Sequence, residues 1–285
     1  MTAPRSVVPG RLCFVTARAV CRMFRFVPVA EVVRVFEYLF AVAAARYRMD
    51  VHEVLCMSNH FHVLMTDVDG VLPDFMGYFN SLLARSLNAM RGTSGSVFEK
   101  EYSVVEVTDD EKAIEHAMYT LANPCSANLV RRSKQWPGFS TLRMKYGDTR
   151  AIERPRVGLW KRDVRVENRR RKKRRDPKRA WRRGKPSVLP DVIEFELVRP
   201  PICRALGDRE LRAKILARLD ARELELIRER EARGTEVLGV ARVLAQPWYG
   251  FPGWPEDLFG KSPGVSGKSK WARIEALQRR ADFVL

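Results

Sequence analysis

Met57-Ser58-Asn59-His60-Phe61-His62-Val63-Leu64-Met65 is the stretch on which the reading of this chain turns. The period-2 alternation of a β-strand puts His60, His62 and Leu64 on one face and Phe61, Val63 and Met65 on the other, so both imidazoles aim at one point. That is a divalent-metal site in outline. Satisfied structural histidine pairs also occur at this spacing, and the chain has four histidines, His52, His60, His62 and His116. The pair alone therefore leaves both readings open, and the neighbouring sequence has to decide.

Downstream, residues 109–124 read as a helix. Asp109, Asp110 and Glu111 at its start suit the helix dipole, and Pro124 marks its end because the residue before a proline is pushed out of the helical region. At helical spacing His116, Tyr119 and Asn123 share a face, and Tyr119 and Asn123 are an i, i+4 pair. A free tyrosine, with a pKa near ~10, is a weak nucleophile at neutral pH and needs a neighbouring cation or base. Beside a metal held by imidazoles it becomes an attacker on a phosphodiester, because the metal polarises the scissile phosphate. Without the histidines, a half-buried helix tyrosine is the plainer reading.

The flanking pattern predicts a mixed fold. Residues 11–20 are a strand candidate and 29–46 a helix with Val33, Phe36, Leu39, Phe40 and Ala43 facing a core. Residues 50–57 and 60–65 form two strands joined by Ser58-Asn59. Helix 72–90, strand 97–107 and helix 113–121 follow. The order predicts an α+β fold: an antiparallel sheet with helices on one face and the site on the other.

At these residues the chain resembles the single-tyrosine HUH transposases, most closely the REP-associated tyrosine transposases, over residues 10–136. The resemblance rests on His60-Phe61-His62 within Met-Ser-Asn-His-Phe-His, and on Tyr119 followed four residues later by Asn123-Pro124. Ser58 departs from the family's usual proline, and Ser96 to Tyr102 matches its aromatic strand entry more loosely. The resemblance implies a ferredoxin-like HUH palm and a metal-dependent endonuclease and strand-transferase acting on single-stranded or hairpin DNA. It further implies His60, His62 and Asn123 as ligands of Mg²⁺ or Mn²⁺, and Tyr119 as a nucleophile that forms a 5′-phosphotyrosine. His116 is outside that pattern. A replication initiator or relaxase with the same chemistry, and a domesticated DNA-binding protein that no longer cleaves, are the alternatives.

Charge divides the remainder. Net charge is +18, of which residues 151–190, with 17 basic and 4 acidic side chains, hold +13. Their centre is Arg169-Arg170-Arg171-Lys172-Lys173-Arg174-Arg175, flanked by Trp160 and Trp181. Such a block repels itself unless a polyanion neutralises it, and the tryptophans offer faces for unpaired bases. The expected organisation is a catalytic domain at 1–150, a basic nucleic-acid-binding linker at 151–190 and a small helical C-terminal region at 191–285. Within that region, residues 208–233 form a helix with Leu211, Ile215, Leu219 and Ile227 as its stripe, Gly234 stops it, and 236–245 form a short second helix. The aromatic run from Pro247 to Pro255 reads as an ordered loop. Five cysteines without paired spacing suggest reduced thiols. With no apolar run of bilayer length and no leader pattern, the expectation is a bacterial cytoplasmic, nucleoid-associated protein, as monomer or homodimer, with no membrane partner.

Overall fold

The structure is a computed structural model that describes residues 8–157, 189–252 and 265–282. Its centre is the strand pair opened by the histidine stretch. β1 (Arg11–Arg18) lies antiparallel to β3 (His60–Asp67), which lies antiparallel to β2 (Met49–Cys56). With α1 (Ala30–Arg46), α2 (Leu72–Arg91) and β4 (Ser103–Val107), the order along the chain is β1-α1-β2-β3-α2-β4. The order across the sheet is β2-β3-β1-β4. Two interleaved βαβ units in an antiparallel sheet are the ferredoxin-like arrangement that the resemblance implies. A two-residue strand, β7 (Val265–Ser266), adds to the β4 edge in parallel.

Alternation sorts the two faces as expected. Phe61, Val63 and Val15 point to α1 and α2, where Phe36 and Phe79 meet Phe61 edge-on and Phe40 meets Phe75 and Phe79. These rings are fully buried and supply most of the apolar burial between helices and sheet. α2 starts where the Asp67 carboxylate accepts from the backbone N–H groups of Val71 and Leu72, each at 2.8 Å. It ends at Gly92, whose φ of 67° an L side chain would resist. The opposite face carries Phe14, Thr16, His60 and His62 under α3 (Asp110–Ser126).

Three local expectations need correction. The helix carrying Tyr119 does not stop before Pro124 but runs through it to Ser126. A proline so near the C-terminus forfeits a single backbone hydrogen bond, and the Asn123 carbonyl still accepts from Ala127 N at 2.9 Å. The strand expected over 97–107 is confined to Ser103–Val107. Thr16 pairs with Ser103, so a continuous ladder would set Ala19 opposite Lys100, but Ala19 bridges Phe98, and the register slips across the intervening residues. The short helix expected at 236–245 is only Val240–Leu244, here α5.

β2 holds a bulge: Val51 pairs with Met65 and Glu53 with Leu64, leaving His52 as the extra residue. The His52 ring is fully buried, its Nδ1 donating to the Val198 carbonyl at 2.7 Å and its Nε2 accepting from Thr66 Oγ1 at 2.8 Å. Burial pushes its pKa down to about 4. Between pH 4 and 6.5 the unfolded state therefore binds this proton and the folded state does not, so stability falls as pH drops through that window. We expect His52→Gln to reduce by about 3 kcal/mol the stability lost between pH 7 and 4, as read by urea unfolding. Identical losses in the two proteins would mean that His52 takes up its proton equally in the folded and unfolded states.

α4 (Asp208–Arg233) follows the predicted bounds and stops at Gly234 with φ 62°. It packs along α3, sending Leu211, Ile215 and Leu219 into the main core. Leu226 joins a smaller cluster with Leu55, Met57, Cys125, Val130, Trp136 and Val243. A separate ribbon, β5 (Thr149–Glu153) paired with β6 (Val192–Glu196), rests on α1, where Phe195 meets Phe40 edge-on. Glu153 lies opposite Val192 and Arg154 N bonds Asp191 O at 2.7 Å, which sets these two ends of the ribbon side by side. Arg169, Arg170, Arg171, Lys172, Lys173, Arg174, Arg175, Trp160 and Trp181 lie outside the described residues. The last helix, α6, is Lys270–Asp282. Among the described residues no helix is long and apolar enough to cross a membrane.

Candidate active site

β1 and β3 pair so that Thr16 faces His62 and Arg18 faces His60. Both histidines thereby meet the polar end of an otherwise apolar strand. A cleft of about 250 Å³ opens there, lined by Thr16, Arg18, Arg22, Asn59, His60, His62, Tyr119 and Asn123. All four residues carried over from the resemblance for chemistry, His60, His62, Tyr119 and Asn123, thus line one cleft. Thr16, Arg18, Arg22 and Asn59 were not singled out as site residues by the sequence. The signal for the first two was present, since Phe14, Thr16 and Arg18 share one strand parity and turn polar toward the strand end.

The ring nitrogens are held by named partners. Asn59 Nδ2 donates to the Arg22 carbonyl at 3.1 Å, which turns its Oδ1 to accept from His60 Nδ1 at 2.7 Å. This network assigns the His60 proton to Nδ1 and leaves Nε2 unprotonated. Thr16 Oγ1 lies 2.9 Å from His62 Nδ1, and Asn123 Nδ2 donates to His62 Nε2 at 3.2 Å, which assigns the second proton to Nδ1 as well. The two rings stand nearly perpendicular with centroids 4.8 Å apart. Burial lowers the His60 pKa to about 4, helped by the positive charge of Arg18, while its bond with Asn123 opposes the shift. His62 is also pushed well down by burial, and next by His60 itself. Both imidazoles are therefore neutral at pH 7, the form that ligates metals.

The Arg22 carbonyl that fixes Asn59 belongs to a tight turn, Val20–Arg22, in which Cys21 and Arg22 both have φ of 52°. Left-handed backbone at two successive residues other than glycine costs roughly 1–2 kcal/mol each. The surrounding sheet sustains that strain at the rim of the cleft.

α3 brings the remaining side chains. Asp109 caps it by accepting from Lys112 N at 2.7 Å. Ala113 and Ala117, both fully buried, let the helix lie close to the sheet. Tyr119 is 44% exposed and its ring meets Phe14 and His62 edge-on at 5.9 and 5.5 Å. Its packing is thus fixed while half of its surface remains open to a ligand. His116 stacks on Phe14 at 4.4 Å and does not line the cleft; burial lowers its pKa to about 4.

Among the described residues no group of three or more His, Cys, Asp or Glu side chains is arranged to hold a metal. The donor set in the cleft is of another kind: two neutral imidazoles and the buried Asn123 amide. One nitrogen-rich, uncharged set of this size suits a borderline divalent cation such as Mn²⁺ with coordination positions left for water or phosphate. The residues present fit such an ion once the Asn123 amide turns to exchange Nδ2 for Oδ1 beside His62 Nε2.

No family model matches this chain, and no curated protein matches it. Among solved structures, it is similar to a REP-associated tyrosine transposase bound to a REP hairpin, with 14% identity and a TM-score of 0.44. That likeness covers 51% of this chain and 84% of the other. A Deinococcus radiodurans R1 protein assigned to the transposases has 19% identity and a TM-score of 0.30, over 40% of this chain and 91% of its own.

Proposed function

We propose that this chain is a divalent-metal-dependent single-strand DNA endonuclease and strand-transferase of the REP-associated transposase type. The observation that supports it is the meeting of His60, His62, Asn123 and Tyr119 in one cleft, with both imidazoles neutral. A Mg²⁺ or Mn²⁺ ion held by His60 Nε2, His62 Nε2 and Asn123 Oδ1 would polarise the scissile phosphate and offset charge in the transition state.

The protein's own groups do the rest. Arg18 and Arg22 hold the substrate phosphate by charge-assisted hydrogen bonds. Tyr119 Oη attacks the phosphorus and gives up its proton to solvent. The bond from phosphorus to the 3′-oxygen breaks, and that oxygen takes a proton to become a free 3′-hydroxyl. The product is a 5′-phosphotyrosine, a phosphodiester of energy similar to the bond broken, so a later 3′-hydroxyl can reverse the step and join strands without a nucleotide cofactor. The substrate we assign is a hairpin-forming single strand, gripped in part by the basic block Arg169 to Arg175.

The test is incubation of the full chain with Mn²⁺ and a 5′- or 3′-labelled hairpin oligonucleotide. A covalent adduct that survives denaturation and carries the label 3′ of the break is expected; no adduct at any divalent metal would overturn the reading. Asn59 gives a second expectation. Asn59→Ala removes the acceptor that sets the His60 tautomer, and should weaken Mn²⁺ binding by about 10–100-fold in calorimetry. An unchanged affinity would show that His60 does not depend on Asn59.

A further inference from the structure

The turn beyond α5, Pro247-Trp248-Tyr249-Gly250-Phe251-Pro252, lies outside the cleft but is fastened to the loop that lines it. Gly250 N bonds the Pro247 carbonyl at 2.8 Å, and the Gly250 carbonyl accepts from Phe24 N at 2.7 Å. A Cβ at Gly250 would meet Pro247 Cγ at 2.9 Å and Phe24 Cδ2 at 3.4 Å, so the close approach needs glycine. Phe24 is two residues from Arg22 of the cleft, at most ~7 Å of chain. The turn therefore borders the proposed cleavage site.

Its chemistry is unusual for a packing element. Arg25 and Arg91 both lie over the Trp248 ring, at 4.8 and 5.1 Å from its centre. Arg91 also donates to the Arg25 carbonyl at 2.6 Å, which locks the two together. Arg25 is 9% exposed, and among the described residues its Nε and Nη1, with Nη1 of Arg91, have no hydrogen-bond partner. Among the described residues no carboxylate pairs with either guanidinium. Two like charges pressed against one indole, with N–H groups unmet, are an arrangement that an anion would relieve. Beside them Tyr249 and Phe251 expose 63% and 55% of their surface. An anion alone gives no reason for two exposed rings. Phosphates strung between unpaired bases account for both features, and a paired duplex, whose base faces are stacked away, does not.

We propose that Arg25, Arg91, Tyr249 and Phe251 form a second contact for single-stranded DNA beside the cleft, the guanidiniums taking a backbone phosphate and the rings stacking on unpaired bases. This contact rests on the reading of the cleft as a single-strand DNA site. It would hold the unpaired flank of a hairpin while the cleft holds the phosphate to be cut.

The experiment measures binding to the full chain in EDTA, by anisotropy of two labelled oligonucleotides, a hairpin with an unpaired flank and the same hairpin without one. For Tyr249→Ala/Phe251→Ala the affinity for the flanked hairpin should fall at least ~10-fold, with the blunt hairpin unaffected. Arg25→Gln should flatten the dependence of log affinity on log salt by about 0.7 for the flanked hairpin. If the arginine variant does not fold, the exposed aromatic pair still decides. Unchanged affinity for the flanked hairpin, or equal losses on both oligonucleotides, would overturn the proposal. The adduct assay scores the cleavage reading separately: flank-dependent binding without adduct sinks the nuclease and keeps this contact, whereas adduct without flank-dependent binding does the reverse.

Discussion

Tyr119→Phe is expected to abolish the covalent protein–DNA adduct and to lower strand cleavage by at least ~10³-fold, while DNA affinity and melting temperature stay at wild-type values. The change removes one oxygen from a side chain that is 44% exposed and makes no hydrogen bond among the described residues, so no buried donor or acceptor there is stranded. The ring keeps its edge-on contacts with Phe14 and His62. What disappears is the only nucleophilic atom α3 presents to the cleft, since His116 lies against Phe14 away from it. Denaturing electrophoresis of labelled hairpin DNA reads both outcomes. Cleavage by the variant at the wild-type rate, without adduct, would make water the nucleophile and the chain a hydrolytic nuclease. An adduct that persists would move the nucleophile to another residue.

The parts of this arrangement that were legible in sequence are those governed by local period. His60, Phe61 and His62 sort to opposite faces of β3 because a strand alternates, and Tyr119 and Asn123 share a helix face because four residues make about one turn. Gly234 was readable as a stop because its backbone is left-handed there. The features that escaped depend on pairing across long separations. The strand parity of Phe14, Thr16 and Arg18 was readable, but it is the register of Arg18 with His60 that brings it into the cleft. The β5–β6 ribbon joins residues some forty apart, across a charged stretch that carries no strand signal. Along α4 the apolar stripe was visible, but no local pattern sets Arg212, Glu223 and Arg230, which are buried, apart from the helix's exposed charges. Only the fold shows where each ends. The Glu223 carboxylate accepts from Ser133 N at 2.6 Å and from Arg132, and Arg230 bonds the Cys125 carbonyl at 2.9 Å, just past Asn123 and Pro124. α4 thus braces the end of α3 that carries the proposed third ligand.

Arg212→Ala should destabilise the protein by about 3–5 kcal/mol in urea unfolding at pH 8, the largest single loss we expect outside the aromatic core. Its guanidinium pairs with Glu53 Oε1 and donates through Nη2 to the carbonyls of Thr141 and Leu142 at 2.8 and 3.0 Å. The other Glu53 oxygen accepts from Thr141 Oγ1 at 2.6 Å. Glu53 is fully buried and Arg212 nearly so. The β-bulge at His52 turns this carboxylate to the α4 side of the sheet. Removing the arginine leaves a buried charge without its partner, the Leu142 carbonyl without a donor, and the Thr141 carbonyl with only the Met144 N–H at 2.9 Å. Burial already raises the Glu53 pKa in the native protein, with Arg212 the strongest influence opposing it. In the variant that opposition is gone, so the folded carboxyl holds its proton to higher pH. A carboxyl whose folded pKa is raised loses stability as pH climbs through that pKa, because the unfolded chain ionises freely. The difference between wild type and Arg212→Ala should accordingly be smaller at pH 5 than at pH 8, and taking the difference cancels the histidine contribution common to both proteins. Glu53→Leu/Arg212→Met replaces the pair by apolar groups of similar size and should recover most of the loss. If the double variant is as unstable as Arg212→Ala, the two carbonyls and not the ion pair hold α4 in place. Arg212 does not line the cleft, so adduct formation by the folded variant should persist even as its urea midpoint falls.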